Sequence, residues 1–199
     1  ANWKNRYYQG TDPISTDTGT SNMASAIWDK HFKTIAAMMD FRVRDVRVVF
    51  LQTLLLGIYY STDTSKKTVM ELLESNIGQA HTQYKIAKGF AEQMVVNHEL
   101  PHYLQNRSAM NEGIGIDNKG LRNGSLISRM HELFSAYGDR LWILKVFEQL
   151  ETLTCTVSAG GKEMWGPQNK KYFRDDELWA CVYAYVCGEL CFPEQVPMN

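Results

Sequence analysis

The chain has 199 residues, 44% hydrophobic and 22% charged, with a formal net charge of -1. That length carries one domain with a real core, and the mix is that of a folded globular protein. A near-neutral balance excludes a polycation, so any contact with nucleic acid must come from local clusters of Lys and Arg.

The first ten residues, ANWKNRYYQG, contain no apolar run, so no secretory signal is expected, and the reading is a soluble intracellular or virion protein. Trp3, Tyr7 and Tyr8 interleave with Lys4 and Arg6, and GTDPISTDTGTSN follows with Ile14 as its one sizeable apolar side chain. Such a stretch buries too little surface to order itself, so residues 1–22 read as an extended arm. On that reading Trp3, Tyr7 and Tyr8 anchor the arm on a neighbouring subunit, and Lys4 and Arg6 are candidate nucleic-acid contacts.

A helix is predicted from Ser21 or Asn22, because Trp28, Phe32, Ile35 and Met39 recur at helical spacing. Arg42, Arg44 and Arg47 follow as a second basic group, suited to phosphate but neighboured by Asp40 and Asp45. The most apolar run, Val46 to Tyr60, is shorter than the ~20 residues of a membrane span and is predicted to be the central, most buried helix. A third helix is expected from Thr64 or Ser65, with Val69, Leu73, Ile77, Ala80 and Tyr84 on one face.

Residues 105–124 hold four glycines and no period, which predicts a long loop. Helices are then predicted from Ser125 to Gly138, from Asp139 to about Thr152 and from about Asp175 to Cys191. The β-branched TLTCTV before the last of these admits a short strand. The expected fold is therefore all-α: an arm over 1–22, then one helical domain over 23–199 with six or seven helices and a short C-terminal tail. Cys155, Cys181, Cys187 and Cys191 form no C-x-x-C pair and read as structural thiols.

One motif raises a chemical question. His98-Glu99-Leu100-Pro101-His102 matches H-E-x-x-H, in which two histidines one turn apart bind zinc and the glutamate activates water. Pro101 stands inside the span that must be helical, removes a backbone donor and pushes Leu100 toward extended geometry. Glu112 is the only nearby third ligand. No metal or other cofactor is therefore expected. Asp175 and Asp176 read as capping charge at a helix start.

With no enzyme motif in its proper context, the leading reading is a structural protein. It would be a coat or nucleocapsid subunit that assembles with itself through its arms and packages nucleic acid. The alternatives are a zinc hydrolase built on His98, His102 and Glu99, and a helical adaptor.

Overall fold

The computed structural model describes residues 5–14, 22–41, 45–62, 68–106, 113–117, 121–161, 163–169 and 173–193, with backbone alone for 121–123. Lys4, Trp3, Arg42, Arg44 and Glu112 lie outside the described residues. The fold is mixed α/β, which corrects the all-α expectation. Strands β1 (Tyr7–Asp12), β2 (Met23–Asp29), β3 (Thr34–Phe41) and β4 (Met70–Leu73) form one sheet in the order β3-β2-β1-β4. β2 runs antiparallel to both neighbours, and β4 runs parallel to β1. Strands β5 (Leu153–Val157) and β6 (Glu163–Pro167) make a separate hairpin, so TLTCTV is the strand its β-branched residues predict.

β1 corrects the arm: its residues sit in the interior of the sheet, paired on both sides. Its side chains alternate between faces. Gln9 and Thr11 face helix α1 (Val46–Tyr59), where Gln9 Nε2 donates to the Ser25 hydroxyl at 2.8 Å and to the Thr53 carbonyl at 3.0 Å. Tyr8, Gly10 and Asp12 face helix α5 (Asp176–Tyr185) on the other side. Gly10 is required there by close approach, since a Cβ would stand 2.0 Å from the Ala184 nitrogen and 2.4 Å from the Ala180 carbonyl oxygen. The glycine that opens the apparent linker is what lets α5 lie on the strand.

β2 replaces the first expected helix. All seven of its residues are buried, because the sheet is covered on both faces, and a strand buried on both faces shows no alternation. The chain then turns at Asp29, whose Oδ1 accepts the N–H groups of His31 at 2.9 Å and Phe32 at 3.1 Å, and Lys33 takes a φ of 54°. This Asx turn breaks the apparent periodicity and leaves Phe32 exposed.

α1 forms as expected, started by the Asp45 side chain accepting the Arg47 N–H, but it is not the central helix. Val49, Phe50, Thr53, Leu54 and Gly57 are buried while Leu51, Leu55 and Tyr59 are exposed. The buried helix is α5, with all ten residues inside between the sheet and helices α3 (Leu121–Tyr137) and α4 (Leu144–Thr152). It continues as a π-helical turn, Val186–Cys191. The third expected helix divides into β4 and α2 (Gln79–Ala87), and Ile114 and Ile116 of the glycine-rich loop bridge to Val96 and Glu74. All four cysteines are free thiols, Cys181 and Cys187 fully buried. Among the described residues no helix is long and apolar enough to cross a membrane.

Candidate active site

Asp12 is the last residue of β1, and Glu74 follows the last residue of β4. The Glu74 N–H donates to the Thr11 carbonyl at 3.3 Å and so extends the parallel ladder by one step. With Thr11 opposite Leu73, this places Asp12 and Glu74 side by side at the carboxyl ends of two parallel strands, which is where open α/β sheets keep their sites. The same transverse row continues through β2 and β3. Ala24 pairs with Asp12 on one side and with Asp40 on the other, so the row reads Glu74, Asp12, Ala24, Asp40. The start of α5 adds Asp175, Asp176 and Glu177 above it, with Asp176 and Glu177 buried.

So many carboxylates in one place oppose one another's ionisation. Burial, then Glu74, Asp176, Asp175 and Glu177 in turn, push Asp12 well above the ordinary carboxylate range. Asp176 is pushed up to about 6, by burial first and also by Asp175 and Glu177, against the Asn22 N–H that reaches its Oδ2 at 3.3 Å. The Tyr183 hydroxyl donates to Glu74 Oε2 at 3.2 Å; burial pushes that phenol up, so it remains a neutral donor. At the far end of the row Lys145 bridges Asp40 and Glu177. Burial and a hydrogen bond to Asp40 raise Glu177. Asp40 is lowered, because its bonds to Glu177, Lys145 and Asn22 outweigh the cost of burial.

Behind the row, on the other face of the sheet, a second polar group is balanced rather than repulsive. Glu71 is fully buried, and its carboxylate takes the Lys85 ammonium, the Thr11 hydroxyl at 2.5 Å and His81 Nε2 at 3.3 Å. Burial would raise Glu71, but Lys85 and then His81 outweigh it and hold the carboxyl far below its ordinary value.

The residues singled out in the sequence lie elsewhere. Arg6 makes a two-pronged pair with Asp29, at 3.0 and 2.5 Å, and stacks on Tyr7 and Phe32. Tyr8 is buried against Phe192, and Tyr7 meets Tyr60 edge-on at 5.0 Å. Arg47 is exposed and pairs with Asp45 beside it. His98 lies in a 3-10 turn (Asn97–Glu99), and Leu100 before Pro101 is extended at φ -69° and ψ 147°. His98 and His102 are both exposed, and Glu99 caps its own turn by accepting the Val96 N–H at 2.9 Å. The motif therefore does not form the single helical face that zinc needs, which removes the basis of the zinc hydrolase reading.

What sequence reasoning missed is the row itself. Asp12, Glu74 and Asp176 stand 62 and 102 residues apart in the numbering, and no local motif joins them. The two features that could have marked Asp12 are its place at the end of a strand and the tiny residue two positions before it.

No protein-family model matches the chain, and no curated protein matches it by sequence. Solved structures do match in fold. The large terminase nuclease from thermophilic phage G20c superposes with a TM-score of 0.63 at 13% identity, over 90% of this chain and 80% of that one. The large terminase nuclease domain of Thermus phage P74-26 gives 0.59 at 12% identity, over 90% and 77%. The nuclease domain of the large terminase subunit of bacterial virus Sf6 gives 0.55 at 10% identity, over 92% and 88%. These similarities place the chain in the ribonuclease H-like α/β fold. They also overturn the coat-protein reading: among the described residues the architecture is mixed α/β and not the helical one behind it, and the solved structures named above are nuclease domains, which are enzymes.

Proposed function

We propose that the chain is a divalent-metal-dependent nuclease that cleaves DNA, with Asp12, Glu74 and Asp176 as its metal-holding carboxylates. The observation that carries this reading is the buried acidic row at the carboxyl ends of β1 and β4, where burial and mutual repulsion lift Asp12 and Asp176. The fold adds support, since its solved relatives include a G20c terminase nuclease with bound magnesium and Sf6 nuclease domains with calcium or manganese. The proposal replaces the expectation of a non-enzymatic chain without a cofactor.

The donor set fits such a metal by chemistry and by charge. Carboxylate oxygens are the ligands of hard divalent cations, and Asp12, Glu74 and Asp176 supply them. Among the described residues no three acidic, His or Cys side chains are already drawn together as a finished ligand set, so binding must close the carboxylates around the ion. The ion would relieve the repulsion, which is a driving force for taking it up.

When bound, the metal supplies Lewis-acid stabilisation of charge on a phosphodiester and a nucleophilic water. The chain does the rest. Tyr183 holds the Glu74 carboxylate, and the Asn22 N–H aims that of Asp176. Gly10 keeps α5 close enough to β1 for the two ends to meet.

The test is cleavage of supercoiled plasmid. The wild-type chain should nick or linearise it in magnesium or manganese and not in EDTA, and Asp12→Asn should cut the rate by about a hundred-fold or more. Equal cleavage by Asp12→Asn, or none by the wild type in either metal, would overturn the reading.

A further inference from the structure

A pocket of about 490 Å³ opens beside the acidic row, walled by α4 and by the segment entering α5. Asn22, Lys145, Glu148, Gln149, Thr152, Phe173 and Arg174 line it. It is fastened at several points to the acidic row and to the start of α5. Arg174 donates to the Asn22 side-chain oxygen, while the Asn22 N–H reaches Asp176 at 3.3 Å. Gln149 donates to the Glu177 carboxylate and accepts the Leu178 N–H at 2.9 Å, which ties the other wall to the first turn of α5. Whatever enters this pocket is held at a fixed position relative to Asp176.

The lining has a definite chemistry. Lys145 is engaged by Asp40 and Glu177, so its charge is largely balanced. Arg174 is exposed and donates to a neutral amide; its charge also acts on the neighbouring Asp176 carboxylate, and Glu148 is the acidic member of the lining. Phe173, next to it in the chain, is 42% exposed and so leaves ring surface open at the pocket. A guanidinium next to an open aromatic face is the pair that takes a phosphate and an unstacked base. The volume lies within the roughly 300–1,000 Å³ of ordinary ligand clefts, which suits one nucleotide and not a base-paired duplex.

We infer that this pocket takes one unpaired nucleotide of the substrate strand beside the scissile bond, with Arg174 on its phosphate and Phe173 against its base. The inference rests on the nuclease reading and adds a preference to it: strands with unpaired bases near the cut are held better than blunt duplex.

Fluorescence anisotropy tests it, in calcium chloride, with three labelled DNAs of about 12 nucleotides: a single strand, the same strand carrying abasic sites, and a blunt duplex. Phe173→Ala should weaken the single strand about ten-fold and leave the duplex and the abasic strand within about two-fold. Arg174→Ala should weaken all three and lower the slope of log affinity against log salt by about one. Both side chains are exposed, and circular dichroism should show both variants folded. Unchanged single-strand binding by Phe173→Ala, or equal losses on duplex and abasic strand, would overturn the nucleotide assignment. An effect of Arg174→Ala alone would overturn it too, leaving only a phosphate contact. Plasmid cleavage by Asp12→Asn reads the nuclease proposal separately. Loss there with no pocket effect sinks the pocket alone, and retained cleavage sinks the nuclease reading itself.

Discussion

Replacing Asp176 by Asn should abolish cleavage and at the same time stabilise the metal-free protein. The buried Asp176 carboxyl titrates at about 6 in the folded chain against an ordinary 3.8. Between those values the folded state keeps a proton that the unfolded state has lost. The resulting destabilisation is absent below 3.8, grows as pH rises through the window and is complete above about 6. Two pH units correspond to about 3 kcal/mol, and some of that is recovered by relaxation and solvent, so the working figure is about 2–3 kcal/mol. An Asn keeps the shape and an oxygen for the Asn22 N–H, and it carries no charge. For a chain of this size the gain is about 4–12 °C in Tm at pH 7.5. Differential scanning calorimetry of both proteins in EDTA, at pH 7.5 and at pH 3.8, measures it. The difference should be large at the higher pH and close to zero at the lower. Millimolar magnesium should then raise the wild-type Tm more than that of the variant, because the carboxylate it would neutralise is gone. A variant less stable than wild type at pH 7.5, or a gain that does not shrink in acid, would refute the argument that repulsion is stored in the row.

Other consequences follow from the packing around it. Glu71→Gln leaves Lys85 charged and buried without its carboxylate, and chemical denaturation should show a loss of about 3–5 kcal/mol. Because Glu71 is held below its ordinary 4.5, its contribution is present above that value and lost as pH falls beneath it, so wild-type stability should decline below pH 4.5 and that of Glu71→Gln less steeply. Gly10→Ala drives a methyl into the backbone of α5 and should give insoluble protein or a loss above about 3 kcal/mol, read by the soluble yield and the denaturation midpoint. His98→Ala and His102→Ala change exposed side chains outside the acidic row and should leave stability within about 0.5 kcal/mol and plasmid cleavage unchanged.

The helices were largely legible and the sheet was not. α1, α3, α4 and α5 announce themselves by period, although α3 starts at Leu121 and not at Ser125, and α4 starts at Leu144, after a 3-10 turn that contains Asp139; α1 runs over Val46–Tyr59 where its apolar residues predict it. The same apolar run misleads about depth, because a helix apolar all round need not be buried all round. Leu51, Leu55 and Tyr59 of α1 face outward, whereas α5, with more polar letters at its start, is enclosed completely. β2 fails for a different reason. Met-Ala-Ser-Ala-Ile-Trp-Asp is packed on both faces, so it has no alternation to read, and its Ala and Met residues favour helix when taken alone. β1 looks like a linker because the packing of α5 demands a glycine where a strand normally carries bulk. The acidic row could not be read at all, since three strands and a helix start assemble it. Asp175 and Asp176, expected to be capping charges, do stand at that helix start, but Asp176 is turned inward and buried. The one stretch that matched a catalytic motif in letters, His98 to His102, is broken by Pro101 into a 3-10 turn and an extended residue.

The most direct measurement of the account is the position of a bound metal. Crystals soaked in manganese chloride, with data collected at the manganese absorption edge, should show an anomalous peak contacted by Asp12 together with Glu74 or Asp176, and no peak in Asp12→Asn crystals soaked the same way. No ordered manganese at the carboxyl ends of β1 and β4, or a peak only at His98 and His102, would contradict it.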